Sequence, residues 1–345
     1  MTIGLGNKIE AAEYIAIQSV IAPVLGGGSS QTGYGQSVRS AVTGVVQNSK
    51  ITSSQWTNLR DDIVACRQHQ TGITILDKTL GDPGYVALEC LKIPTTSTTI
   101  KEQDRAAYLA LANQCVTDKA LVDPAQQSTF DILNPTGTTS NGIRTATWNI
   151  SISHTITVTF PPTTEQLAAG YAQIDVARWF FNTGGKIQFS AARWDNLDKT
   201  GAGVAGSKNY SWNQLLTNSG TISFGGTTTT KSNTNGTLTV GGTLGFFPML
   251  ASPPGTEFLQ YVNALDNSNL YVPNEWRIFA SVATNGTLTF RIVFTDLATV
   301  TGHDPVFGVD ESVTGATFSF VKALHCTANP NVTVPVPVVS VQTAL

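Results

Sequence analysis

Charge is scarce in this chain, with Asp, Glu, Lys and Arg making up 12% of its residues, about half the roughly 25% of an average soluble domain. The balance is slightly acidic, with a formal net charge of −3 and a pI near 5.8. A nucleic-acid partner is therefore not expected, because phosphate backbones call for a basic stripe. Long apolar runs are also missing: no stretch approaches the about 20 residues needed to span a bilayer. The start, MTIGLGNKIEAAEYIAIQ, lacks the charged region and apolar core of a secretion signal. No membrane partner is expected.

Cysteine is sparse. Cys66, Cys90, Cys115 and Cys326 are the only four and form no Cys-x-x-Cys pair, which argues against zinc and redox centres. Free, mostly buried thiols are expected over disulfides, and the His325–Cys326 pair reads as an accidental neighbour. Catalytic signatures are lacking too. GAGVAG at 201–206 neither follows a clear strand nor opens a helix, and there is no Gly-x-Ser-x-Gly elbow and no His-Glu-x-x-His. The pairs Asp61–Asp62 and Asp310–Glu311 are adjacent in sequence, which says nothing about carboxylates facing across a cleft. His303 and Asp304 with Asp310 and Glu311 match no calcium-loop spacing and read better as a solvated loop than as a cation site. The expectation is a protein without enzymatic activity, cofactor or metal.

What the chain has in abundance is threonine, glycine and alternating apolar residues, arranged behind a helical start. ITSSQWTNLRDDIVACRQHQTG, residues 51–72, opens with Thr52 and Gln55 at capping-box spacing. Trp56, Leu59, Ile63 and Cys66 then form one apolar stripe, which predicts a helix over 53–69 with Arg60, Asp61, Arg67 and Gln68 mostly on other faces. Similar starts at Asn7/Glu10 and Thr99/Glu102 predict helices over 8–23 and 101–119. Between them, GGGSSQTGYGQ (26–36) is a loop, 37–50 is a strand or hairpin, and 73–100 holds short strands or loops. Residues 124–142 carry two prolines and read as a linker.

From about residue 143 the apolar period becomes two. Ala146, Trp148 and Ile150, then Ile156, Val158 and Phe160, alternate with polar residues, as two paired strands or one long bent strand, and His154 sits in that run. A helix is expected over 164–181, a strand over 186–192, a short helix around 212–216 and a strand over 221–224. Further strands are expected at 237–246, 256–263, 275–283, 287–296 and 314–322. Thr284-Asn285-Gly286 marks a hairpin, since Asn-Gly tolerates positive φ at both central positions. The tryptophans Trp148, Trp179, Trp194, Trp212 and Trp276 suit a core better than a sugar-stacking platform. The fold class expected is α+β: a small N-terminal helical unit over 1–140, then a mainly antiparallel β-sandwich over 141–326 with one or two short helices. Residues 327–345 follow as an extended arm, since Pro330, Pro335 and Pro337 interrupt ladder bonding. That arm lies along a neighbouring subunit or folds back on its own domain; both remain open.

Several stretches carry a resemblance. VLGGGSSQTGYGQ (24–36), SSQWTNLRDDI with HQTG at 69–72, ARWFFNTGGKIQFSA (177–191), SWNQLLTNSGTISFGG (211–226) and EWRIFASVATNGTLTFRIVFTD (275–296) resemble virion structural proteins of tailed bacteriophages, especially those infecting cyanobacteria. The resemblance covers about half the chain and leaves 73–142 unmatched. It implies a non-enzymatic particle component of the tail, neck or fibres, located in the virion. Its partners would be copies of itself and other virion proteins, with a host surface glycan as the alternative ligand. The expected assembly contacts are Arg60, Asp61 and Arg67 on the second helix, and Val332, Val334, Val336 and Val338 on the arm.

Overall fold

The computed structural model describes residues 10–28, 31–43, 45–46, 50–133, 143–194, 208–232, 245–252, 274–297, 312–313, 315–327 and 331–342. The fold is α+β, with an N-terminal helical unit followed by two antiparallel sheets. Two compact units divide the chain. One takes Met1–Ser128 with Arg178–Gly185 and His325–Pro335; the other takes Thr129–Ala177, Lys186–Leu324 and Val336–Leu345. This division does not follow linear boundaries at 140 and 326, because two short later segments join the helical unit.

The helical unit is built on α1 (Ala11–Leu25), α2 (Ser53–Thr71) and α3 (Glu102–Thr117). The start of α2 is the one read from the sequence: the Gln55 amide N–H donates to Thr52 Oγ1 at 3.2 Å, and Thr52 N–H donates to Gln55 Oε1 at 2.8 Å. Gly72 closes α2 in the left-handed conformation (φ 70°). The other two starts are displaced. Glu10 N–H donates to Glu13 in α1, and Lys101 N–H donates to Asp104 Oδ2 at 2.8 Å in α3, so α3 is capped two residues after Thr99. The α1 helix also runs past Pro23 to Leu25, so the proline costs the helix one ladder bond near its end without stopping it there. Tyr14, Trp56 and Tyr108, one per helix, form an edge-to-face spine with centroids 5.6 and 5.1 Å apart. Leu59, Ile63, Cys66, Leu111, Cys115 and Val332 are buried with them. Among the described residues of 37–50 there is no strand, and within 73–100 the pairing reduces to one bridge, Leu76 with Cys90.

Residues 124–133, read as part of a linker, instead form a 3-10 turn (Pro124–Gln126) and strand β1 (Gln127–Leu133). Strands β2 (Ile143–Arg144) and β3 (Ser151–Thr159) follow, then α4 (Thr164–Ala168), α5 (Gln173–Asn182), β4 (Lys186–Trp194), α6 (Lys208–Ser219), β5 (Ile222–Phe224), β6 (Thr229–Lys231) and α7 (Phe246–Leu250). The last strands are β7 (Glu275–Val282), β8 (Leu288–Thr295), β9 (Ala316–Cys326) and β10 (Val338–Gln342). The single helix expected over 164–181 is two, because Gly170 takes φ 85° after α4 and Asp175 caps a fresh start by accepting from Ala172 N–H at 2.8 Å. One sheet has the order β1-β9-β4-β5-β6 with β2 also on β9; the other runs β10-β3-β8-β7. The β7–β8 hairpin expected at Thr284-Asn285-Gly286 is present and turns through 284–286, with positive φ at Gly286 and not at Asn285. A three-residue loop ending in a left-handed glycine accounts for that.

Inward residues alternate along the strands, as in β7 Trp276, Ile278, Ala280 and Val282 and β8 Leu288, Phe290, Ile292 and Phe294. Phe290 of one sheet meets Phe189 and Phe224 of the other at centroid distances of 4.6 and 5.3 Å, so the two sheets share an aromatic core. The strand expected at 256–263 and most of that at 237–246 lie outside the described residues, and Phe246 itself begins α7.

Candidate functional site

The expected contacts on α2 divide. Arg60 and Asp61 are half-buried, so part of each reaches solvent. Arg67 does not: it is 4% exposed, and its Nη1 donates to Asp118 Oδ2 at 2.6 Å and to Gln70 Oε1 at 3.3 Å. Its placement on a solvated face is therefore corrected, because the residue capping the end of α3, Asp118, covers that side of α2. Neighbouring groups extend the same buried network. Gln70 Nε2 donates to Tyr34 Oη at 2.7 Å and to the Cys115 carbonyl at 2.9 Å, and Tyr34 Oη donates to the Lys119 carbonyl at 2.7 Å. His69 Nε2–H donates to the Thr183 carbonyl at 2.9 Å. Burial pushes the His69 imidazole below its ordinary pKa, so this ring is a neutral donor that holds the 178–185 segment.

The arm divides as well. Val332 is fully buried in the helical core, which corrects its reading as an intermolecular contact. Gln36 and Thr333 hold this stretch by reciprocal bonds of 2.8 and 3.1 Å. Val334 is half-buried, whereas Val336 and Val338 are 62% and 51% exposed. Val338 opens β10, which pairs antiparallel with β3 from Val338–Thr159 to Gln342–Thr155. Within the chain, then, the end of the arm lies along β3 as an added strand. Once the prolines at 335 and 337 are passed, every residue of β10 has an N–H for the ladder.

A third group was not legible as a site in the sequence. Lys208, the first residue of α6, donates from Nζ to Asp296 Oδ2 at 2.7 Å and to Asn149 Oδ1 at 3.2 Å. The Lys208 and Asp296 side chains are 0% and 1% exposed, while Asn149 lies at the solvent edge. Aromatic rings stand beside each of the three. Trp148 precedes Asn149, Trp212 is one helical turn after Lys208, and Phe294 lies two residues before Asp296 on the same strand face. Burying an ion pair costs several kcal/mol of desolvation per ion, on the order of what its attraction returns, so its retention calls for good geometry. Residues 149, 208 and 296 share no local spacing, so no sequence signal brings them together.

Elsewhere in the β unit, His154 is 2% exposed on the inner row of β3, with Nδ1 2.7 Å from Ser319 Oγ. Desolvation, with Arg144 nearby, lowers its pKa to about 4. All four cysteines are free and buried, and burial raises the Cys66 thiol pKa well above its usual value, so it packs rather than reacts. Trp148, Trp179, Trp212 and Trp276 are buried and present no face for stacking on a sugar. Among the described residues no group of three His, Cys, Asp or Glu is arranged for a metal, and no helix is long and apolar enough to cross a membrane. The stretches 201–206 and 303–311 lie outside the described residues. No family model, curated protein or solved structure matches this chain.

Proposed function

We propose that the protein is a non-enzymatic structural component of a tailed-phage particle, in the tail, neck or fibre apparatus, acting by homo-oligomeric assembly and docking to other virion proteins. The sequence stretches quoted above motivate the family. The observation that carries the assembly reading is β10. Among the described residues it pairs on one side only, with β3, and its first residue Val338, with Val336 just before it, is exposed to solvent beside Pro335 and Pro337. An edge strand offers unpaired backbone groups, and exposed valines add apolar area for a second copy of the chain to cover. Closed symmetry would repeat that contact around an axis.

The test uses point substitutions, because removing 327–345 would also take Val332 out of the helical core and β10 off β3. Full-length protein should elute as an oligomer by light scattering, and Val336→Lys with Val338→Lys should shift it to smaller species at unchanged secondary structure. A monomer at every concentration, in the wild-type chain, would sink the homo-oligomeric reading. Selective glycan-array binding by the purified monomer would favour a receptor-binding module instead.

A further inference from the structure

We propose that Lys208 and Asn149 become joined by an intramolecular isopeptide bond, with Asp296 carrying the protons. Three observations converge. Lys208 Nζ already hydrogen-bonds the side-chain carbonyl of Asn149 at 3.2 Å, which holds amine and amide together as a bound pair of reactants. The carboxylate that must exchange protons with the amine is 2.7 Å from it on the other side. The amine and carboxylate are shut off from water, whereas the amide meets solvent, giving ammonia an exit.

Each partner is held from outside the group. Trp148 N–H and C=O bond Val313 at 3.0 and 2.8 Å, and its indole donates to Thr317 Oγ1 at 3.2 Å, which anchors the residue before Asn149. Asp296 N–H donates to the Ile150 carbonyl at 2.9 Å, tying the end of β8 to the residue after Asn149. Lys208 is delivered by α6, whose Trp212 packs on Trp148 at 5.1 Å. Such support is what keeps reacting atoms in register.

The step balances without any oxidant or cofactor. A proton passes from the Lys208 ammonium to Asp296, exchanging a buried charged pair for a neutral one and freeing the Nζ lone pair. Nζ attacks Asn149 Cγ, and the carbonyl electron pair moves to Oδ1, where the Asp296 acid donates its proton. Asp296 then takes a proton from the now cationic Nζ and delivers it to Nδ2. The carbonyl re-forms, the Cγ–Nδ2 bond breaks, ammonia leaves, and the Oδ1 proton returns to Asp296. One C–N bond forms and one breaks. The product is an amide between the start of α6 and the entry to β3, closing a covalent loop through positions that are 59 apart in sequence.

Intact mass and peptide mapping of folded, full-length protein test this directly. The expected chain is lighter than its sequence by one ammonia, with a branched peptide linking residues 149 and 208. Lys208→Arg keeps the ion pair but removes the nucleophile, and Asp296→Asn removes the proton carrier; both should return to full sequence mass. Asn149→Ala sits at the solvent edge and keeps the test open should either buried variant not fold. Full sequence mass in the wild-type chain overturns the proposal, as does loss of water with a link at Asp296. Persistence of the loss in Asn149→Ala also overturns it. None of these readouts depends on oligomeric state, so the proposal stands or falls apart from the assembly reading.

Discussion

The helical unit and the β unit satisfy their backbones differently, by helix ladders joined through loops in one and by sheet ladders in the other, and their buried polar groups differ in emphasis accordingly. In the helical unit several of them hold main-chain groups: Asp62 accepts from Arg39 and Ser40 N–H of a loop at 3.1 and 2.8 Å, and Gln70 donates to the Cys115 carbonyl in the last turn of α3, beside the side-chain pair of Arg67 and Asp118. Helices satisfy only their own ladders, so the loops between them need side-chain partners once they are covered. In the β unit the backbone is consumed by sheet ladders, and the buried polar groups pair with one another, as Lys208 does with Asp296, His154 with Ser319, and Trp148 with Thr317.

The sharpest probe of that contrast is the aromatic core between the sheets. Phe290→Ala should cost about 4 kcal/mol in urea denaturation, because it leaves a cavity beside Phe189 and Phe224. A loss under about 1 kcal/mol would mean that the sheets do not share a core. In the helical unit, Arg67→Ala should cost about 3 kcal/mol by stranding Asp118, the low end for a broken buried pair since Asp118 keeps some solvent. Arg67→Met combined with Asp118→Leu should recover most of it; a double variant as unstable as the single would show that shape, not charge, governs the contact.

Acid should act on the β unit through His154. Its folded pKa, about 4, lies below the ordinary 6.5, so the unfolded chain binds the proton first. The contribution is full above about pH 6.5 and is lost as pH falls toward 4, amounting to at most about 3 kcal/mol. His154→Gln should flatten the stability profile across that window; an unchanged slope would place the acid sensitivity elsewhere. His69 shifts in the same direction because it is buried, so its protonation also costs the helical unit stability as pH falls, although the bond to the Thr183 carbonyl persists in the charged ring. The smallest effect is expected at Thr52→Ala, about 1 kcal/mol, read as faster hydrogen exchange confined to the first turn of α2.

Legibility followed the range of the interaction. The α2 start at Thr52 and Gln55, its apolar stripe, the β7–β8 hairpin and the free buried cysteines were readable because neighbours a few residues apart determine them. Strand β1 was not, since a prolyl turn and polar residues look like a linker until β9 offers them a ladder. The burial of Arg67 escaped for a related reason: helical periodicity places it off the apolar stripe but says nothing about Asp118, 51 residues away.

By itself, then, the sequence determines the α+β class, the three-helix start, the alternating strands and the scarcity of charge on this protein. All of these follow from local periodicity and composition. Only the tertiary structure decides that Val332 belongs to the helical core, that β10 joins β3, and that Lys208, Asn149 and Asp296 meet. Each of these joins residues far apart along the chain, and such closure is selected by the total burial and hydrogen bonding of the fold, which no window of neighbouring residues contains.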